Sequence, residues 1–125
     1  MSLFLNRRMR SLREIFPRGR FRPPATELQI AEVESQLGVA FPEQLRLLYL
    51  ECDGFREDRG NSKYLLSLTE KDFIGSLLET TRWMWTDVQS MYPEQELRPH
   101  IWFGFASYDS AWGINWRKQI GRAHV

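Results

Sequence analysis

Between Pro23 and Gly54 the chain carries the start and stop signals of two consecutive helices with almost nothing between them, and this punctuation limits the possible folds more than any other feature. Thr26-Glu27-Leu28-Gln29 matches a capping box, in which the Thr hydroxyl accepts the backbone N–H three residues on and the Gln side chain reaches back. Ile30, Val33 and Leu37, with Ala31, recur at helical spacing as one apolar face, and Glu27 stands near the electropositive end. Gly38 supplies a left-handed stop. Pro42 then stands in the first turn of the next helix, where its missing N–H is harmless. Leu45, Leu48, Tyr49 and Cys52 line that second helix, and Asp53-Gly54 is its terminating turn.

On the N-terminal side, Leu5, Met9, Leu12 and Phe16 form one helical stripe that Pro17 and Gly19 bring to an end. Phe21-Arg22-Pro23-Pro24 is extended, because a residue before proline is pushed out of the helical region. Beyond a polar loop between Arg56 and Lys63, Tyr64 to Leu68 reads as a short buried strand. Thr69 reads as the cap of a third helix, with Asp72 in its first turn and Phe73, Leu77, Leu78, Thr81, Met84 and Trp85 as its stripe. Pro93 and Pro99 bracket a loop. Ile101, Phe103 and Phe105 then alternate with Trp102 and Gly104, and Trp112, Ile114 and Trp116 with Gly113 and Asn115, giving a hairpin that turns at Ser107-Tyr108-Asp109-Ser110. Helices first and a hairpin late make an α+β pattern rather than repeated βαβ units.

A length of 125 residues supports one hydrophobic core, and 42% hydrophobic with 26% charged residues excludes a disordered or low-complexity chain. No apolar run approaches the ~20 residues that cross a bilayer. The first residues place apolar side chains before basic ones, the reverse of a secretory signal, so a cytoplasmic location is expected. Cys52 is the single cysteine, which excludes a disulfide framework and fits a reducing compartment.

The net charge of +1 conceals an asymmetry: Met1 to Pro24 hold seven arginines against Glu14 alone, net +6, and the remaining residues are net −5. A basic arm of this kind meets nucleic acid, anionic lipid or an acidic partner. A solvated helix face is the simpler explanation and is preferred, since no aromatic platform or reading motif accompanies the arginines. The last six residues, Ile120-Gly121-Arg122-Ala123-His124-Val125, correspond to the translation of part of a common sequencing-library adapter. The expected organisation is therefore a basic helical arm over residues 1–20, a C-terminally truncated domain over 21–119, and adapter read-through over 120–125.

With His124 set aside, His100 is the remaining histidine. One histidine and one cysteine do not assemble a zinc site, and neither HExxH nor CxxC spacing is present. Cys52 falls on an apolar helix face, where cysteine behaves as a small hydrophobe rather than a nucleophile. Phosphate-cradling and hydrolase motifs are missing too, so no cofactor, metal, small-molecule substrate or catalysis is expected. The five tryptophans say more, because three lie on or beside the late hairpin. Trp102, on the strand face opposite Ile101 and Phe103, is a candidate outward aromatic, either part of a protein-binding patch or covered by a missing C-terminal segment.

Pro24-Ala25-Thr26, Ile30 with Glu34, Leu37-Gly38, Pro42-Glu43 and Asp53-Gly54, in this order and spacing, resemble the opening of the SUKH superfamily in its Smi/Knr-like branch. Phe103-Gly104-Phe105-Ala106-Ser107 is similar to the family's strand leading into an acidic, glycine-rich turn, although Tyr108-Asp109-Ser110-Ala111 lacks the run of glycines. The resemblance implies helices packed on a central, mostly antiparallel sheet, and binding in place of catalysis. It further implies an immunity protein that neutralises a cognate toxin, such as a nuclease, inside the producing cell, or else a scaffold of the kind that fungal members provide. An acidic body would steer a basic toxin. Asp53, Trp102, Tyr108, Asp109 and Trp112 are the candidate contact residues, chosen for their places on turns or on the hairpin.

Overall fold

The structure, a computed structural model, describes residues 11–57, 63–70, 75–107 and 110–117. The expectations for Leu5, Met9, Asp72, Phe73, Tyr108, Asp109 and the last six residues fall outside these ranges.

The two-helix punctuation folds as its chemistry dictates. Helix α2 (Glu27–Leu37) starts on a complete capping box: Gln29 N–H donates to Thr26 Oγ1 at 3.1 Å and Thr26 N–H to Gln29 Oε1 at 2.9 Å. It ends on Gly38 at φ +81°, and α3 (Glu43–Glu51) follows with Pro42 at its N-cap, one position earlier than the sequence suggests. Ile30, Val33, Leu37, Leu45 and Tyr49 are buried together in the core. On the outer side Arg46 bridges Glu43 at 2.7 Å and Glu27 at 2.6 Å, tying the starts of both helices.

The described part of the basic arm is built into the domain. A single helical turn, α1 (Leu12–Ile15), is capped by Ser11 and Glu14, and Leu12 N–H donates to Glu51 Oε2 at the end of α3, at 2.8 Å. Phe16 stacks on Phe55 at 4.9 Å, and Gly19–Phe21 forms strand β1. The sheet adds β2 (Phe55–Glu57), β3 (Tyr64–Leu65), β4 (His100–Ser107) and β5 (Ser110–Asn115), all antiparallel in the order β1-β2-β3-β4-β5. The sequence reading missed β1 and β2 and assigned Glu57 to a loop. Three-residue strands leave no readable alternation, and only the register to distant strands defines them.

That register lines up whole rows of side chains across the five strands. Phe21, Phe55, Leu65, Gly104 and Trp112 are successive partners on the face where Phe16 stacks. One residue along, Arg20, Arg56, Tyr64, Phe105 and Ala111 form the neighbouring row, which strand alternation places on the opposite face.

Helix α4 (Leu77–Trp83) begins later than the sequence suggested. Ser76 caps it through a reciprocal pair with Glu79, and Gly75 at φ +98° sets the entry. Thr69 does not cap it: the helix starts at Leu77 with Ser76 as its cap, seven positions beyond Thr69, and the Thr69 hydroxyl donates to Asp53 Oδ2 at 2.6 Å. The helix continues through a π-helical turn, Met84–Val88, into α5 (Gln89–Met91). At that turn the Thr86 hydroxyl donates to the Arg82 carbonyl at 2.8 Å, a side-chain bond that competes with the regular ladder.

Candidate protein-interaction surface

Asp53, the first candidate contact, lies inside the protein with 4% of its surface exposed. Its Oδ1 accepts from Leu68 N–H at 2.7 Å, and its Oδ2 from the hydroxyls of Ser67 at 2.8 Å and Thr69 at 2.6 Å. Ser67 Oγ in turn accepts the N–H groups of Thr69 and Glu70. The carboxylate therefore organises the turn 67–70 and holds it to the end of α3. Gly54 completes this joint at φ +103°, where an added Cβ would come within 2.9 Å of the Leu65 carbonyl oxygen. No local signal betrays the arrangement, since the partners stand more than a dozen positions away and only the tertiary fold delivers them.

Trp102 and Trp112, the hairpin candidates, are both half-buried and each lies over a glycine of the other strand. Trp102 pairs with Gly113 and Trp112 with Gly104, in a register shifted once between Trp102 and Gly104. That bulge inserts Phe103, whose ring lies 6.0 Å from Trp112. A Cβ on Gly104 would fall 2.5 Å from the Tyr64 carbonyl oxygen and 2.7 Å from the Trp112 ring, so only glycine fits there.

Three indoles hold the segment that enters the hairpin. Trp85 Nε1 donates to the His100 carbonyl at 2.8 Å, Trp102 Nε1 to that of Leu97 at 3.1 Å, and Trp116 Nε1 to that of Arg98 at 3.1 Å. The tryptophan richness read from the sequence is thus in large part a clamp on residues 97–100. Thr81 of α4 closes the β4 edge beside it: its hydroxyl accepts Trp102 N–H at 3.0 Å and donates to the Trp102 carbonyl at 3.1 Å. These two bonds replace those a neighbouring strand would make.

The most exposed large apolar side chains of this half of the molecule are Trp83 at 48%, Met91 at 62% and Tyr92 at 48%. They lie along and just beyond the α4–α5 stretch. Sequence reading left Trp83 off the buried stripe but gave it no role; its neighbours Met84 and Trp85 turn inward.

Cys52 and His100 are not arranged as a nucleophilic pair. Cys52 is fully buried, and burial, as the largest cause, pushes its thiol up from 9.0 to about 11. Burial likewise holds the Tyr49 hydroxyl well above its ordinary range, with the Asp53 and Cys52 charges adding to it. The Tyr49 hydroxyl donates to the Leu66 carbonyl. His100 packs against Trp102 at 5.5 Å with its Nδ1 buried and unpartnered. Among the described residues no three His, Cys, Asp or Glu side chains are grouped to hold a metal ion. No helix of the described residues is long and apolar enough to cross a membrane.

Both raised groups ionise more readily in the unfolded chain than in the folded one. Stability is therefore unaffected by them below a pH of about 9 and is lost as pH rises towards their folded values. In native protein a thiol reagent such as DTNB is expected to label Cys52 only as fast as the chain opens, and denaturant to make labelling immediate. Rapid stoichiometric labelling of the folded chain at pH 8 would contradict the buried placement.

With this α+β architecture in place, family comparison is decisive: residues 24–117 match the SMI1 / KNR4 family (SUKH-1), and the chain belongs to that family. No curated protein and no solved structure matches the chain.

Proposed function

We propose that this chain is an immunity protein of a bacterial polymorphic toxin system, which binds a cognate protein toxin in the cytoplasm of the producing cell and blocks it by covering its working surface. Membership of the SUKH-1 family over residues 24–117 is the observation that carries this reading. In this reading the contact surface lies on the hairpin, with the candidates Trp112 on one face and Trp102 on the other, together with Tyr108 and Asp109, which lie outside the described residues. Large half-exposed aromatics there offer apolar contact area at low entropic cost. Asp53 contributes from below, by fixing the turn 67–70, and has no free carboxylate oxygen to offer a partner.

The test is co-expression with the toxin encoded beside this gene. Cells carrying both are expected to survive induction that kills cells carrying the toxin alone. Survival lost on the Trp112→Ala change, with the protein still folded, would place the contact at the hairpin. If the wild-type chain neither protects nor co-purifies with the toxin, the immunity reading fails, and the scaffold role known for the family's regulators takes its place.

A further inference from the structure

The helix that runs from α4 into α5 leaves one face without a partner among the described residues. Trp83 and Met91 are eight positions apart, which a regular helix would set about 80° apart around its axis. The i→i+5 turn at Met84–Val88 takes up about one residue, so the two stand about two turns apart on the same face. Exposed Asp87 lies midway between them, while Met84 and Trp85 turn inward. Beyond α5 the Gln89 side chain folds the chain back onto the helix end. Its Nε2 donates to the carbonyls of Tyr92 at 3.2 Å and Gln95 at 2.6 Å, and its Oε1 accepts the N–H groups of Leu97 at 2.9 Å and Arg98 at 3.3 Å. This fixes the loop that carries exposed Tyr92, Glu94 and Glu96 beside Met91. From Trp83 to Leu97 the chain has three carboxylates, Asp87, Glu94 and Glu96, and no lysine or arginine. None of the three has an ionic partner among the described residues. Arg82, just before this stretch, is drawn across to α2, where it donates to the Gln36 carbonyl at 3.1 Å.

We propose that this ridge receives a basic, amphipathic segment of a partner protein, whose apolar side chains cover Trp83, Met91 and Tyr92 while its lysines or arginines meet Asp87, Glu94 and Glu96. The inference rests on the reading of this chain as a protein-binding module and assigns it a contact apart from the hairpin. Neighbouring exposed apolar side chains with a polar rim mark an interaction site, Trp and Tyr are its strongest anchors, and the sign of the rim charges selects the partner. Nucleic acid and anionic lipid fit poorly, because their phosphates would face three carboxylates with no cation among them. A second copy of the chain fits poorly as well, since a two-fold contact brings the same carboxylates against themselves. The loop held by Gln89 is set in place before any partner arrives, which lowers the ordering cost of binding.

Fluorescence anisotropy of the full chain with a labelled peptide of interleaved lysines and leucines tests this directly. A peptide with glutamate in place of lysine is expected to bind at least about tenfold more weakly. Trp83→Ala is expected to weaken binding of the lysine peptide about tenfold. The double change Glu94→Gln with Glu96→Gln is expected to weaken it about threefold and to flatten its salt dependence. The unfolding midpoint moves little in either variant, because these side chains are exposed. A matched pair of changes on the outer face of α2, Leu28→Ala with Glu32→Gln, is expected to leave binding unchanged. Equal or undetectable binding of the two peptides, unchanged binding by both ridge variants, or an equal loss from the α2 pair overturns the proposal. So does a wild-type chain that sediments as a dimer and becomes monomeric on Trp83→Ala, which gives the ridge to a second copy. A wild-type chain that protects cells but fails the peptide test rejects this ridge alone; peptide binding with the expected losses but without protection rejects the immunity reading alone.

Discussion

Replacing Asp53 with alanine is expected to destabilise the protein by about 4 kcal/mol, close to the whole stability of a small domain. The substitution removes the acceptor for the Leu68 N–H and for the Ser67 and Thr69 hydroxyls at one stroke. Each buried donor left without a partner costs about 1–3 kcal/mol. Arg22 also loses one of its two carboxylates. Asp53→Asn keeps the shape and one oxygen, so it retains the Leu68 bond but presents an amide N–H to hydroxyls that must donate; it is expected to fall midway. Urea unfolding of the three proteins checks this order, and an Asp53→Ala midpoint equal to wild type would show that the joint between α3 and the turn 67–70 is not built as described.

Gly104→Ala is expected to be the most damaging methyl that can be added to the sheet, at about 3 kcal/mol. Its Cβ has nowhere to go: the Tyr64 carbonyl of β3 is on one side at 2.5 Å and the Trp112 ring on the other at 2.7 Å. Side chains can turn aside, but the carbonyl belongs to a strand paired on both edges. Relief would therefore come from separating β3 from β4 or expelling Trp112. The expected signature is a lower unfolding midpoint together with a red shift in tryptophan emission as that indole meets water. Gly38→Ala provides the comparison, since a Cβ there touches nothing and only the left-handed backbone opposes it; it is expected to cost about 1 kcal/mol.

The two sites differ in how far a sequence can reveal them. Thr26, Gly38, Pro42 and Gly54 were legible because each acts within a few residues of itself, through a cap, a left-handed stop or a turn. The long hairpin was legible because two apolar runs flank a short polar turn, although the bulge at Phe103 places Phe105 on the face opposite Ile101, where strict alternation would have put them together. Thr69 and Ser76 both carry the chemistry of a helix cap, and only Ser76 has a glutamate three residues on that completes the reciprocal pair, Glu79. The three indole bonds to residues 97–100 were illegible: periodicity assigns a ring to a face but not its N–H to a carbonyl. Gly19 and Glu57 read as an arm and a loop until the register of β1 on β2 made them partners.

The candidate surface follows the same logic. Exposure of Trp102 was inferred from its place opposite Ile101 and Phe103, and strand alternation does separate them. What alternation could not show is that Gly113 lies beneath the Trp102 ring and that its indole N–H is held by Leu97. The hairpin is accordingly a rigid platform whose aromatics are fixed before any partner arrives, a condition that lowers the entropic cost of binding.

The central proposal is that this SUKH-1 chain recognises and silences another protein. Titrating the purified full chain into the purified neighbouring toxin, while following complex formation and toxin activity in the same samples, tests that claim most directly. The prediction is that activity disappears in step with complex formation and is gone at equimolar ratio, with Trp112→Ala shifting both curves together. A complex that forms while the toxin remains fully active would contradict neutralisation, and no complex at all would contradict the partner itself.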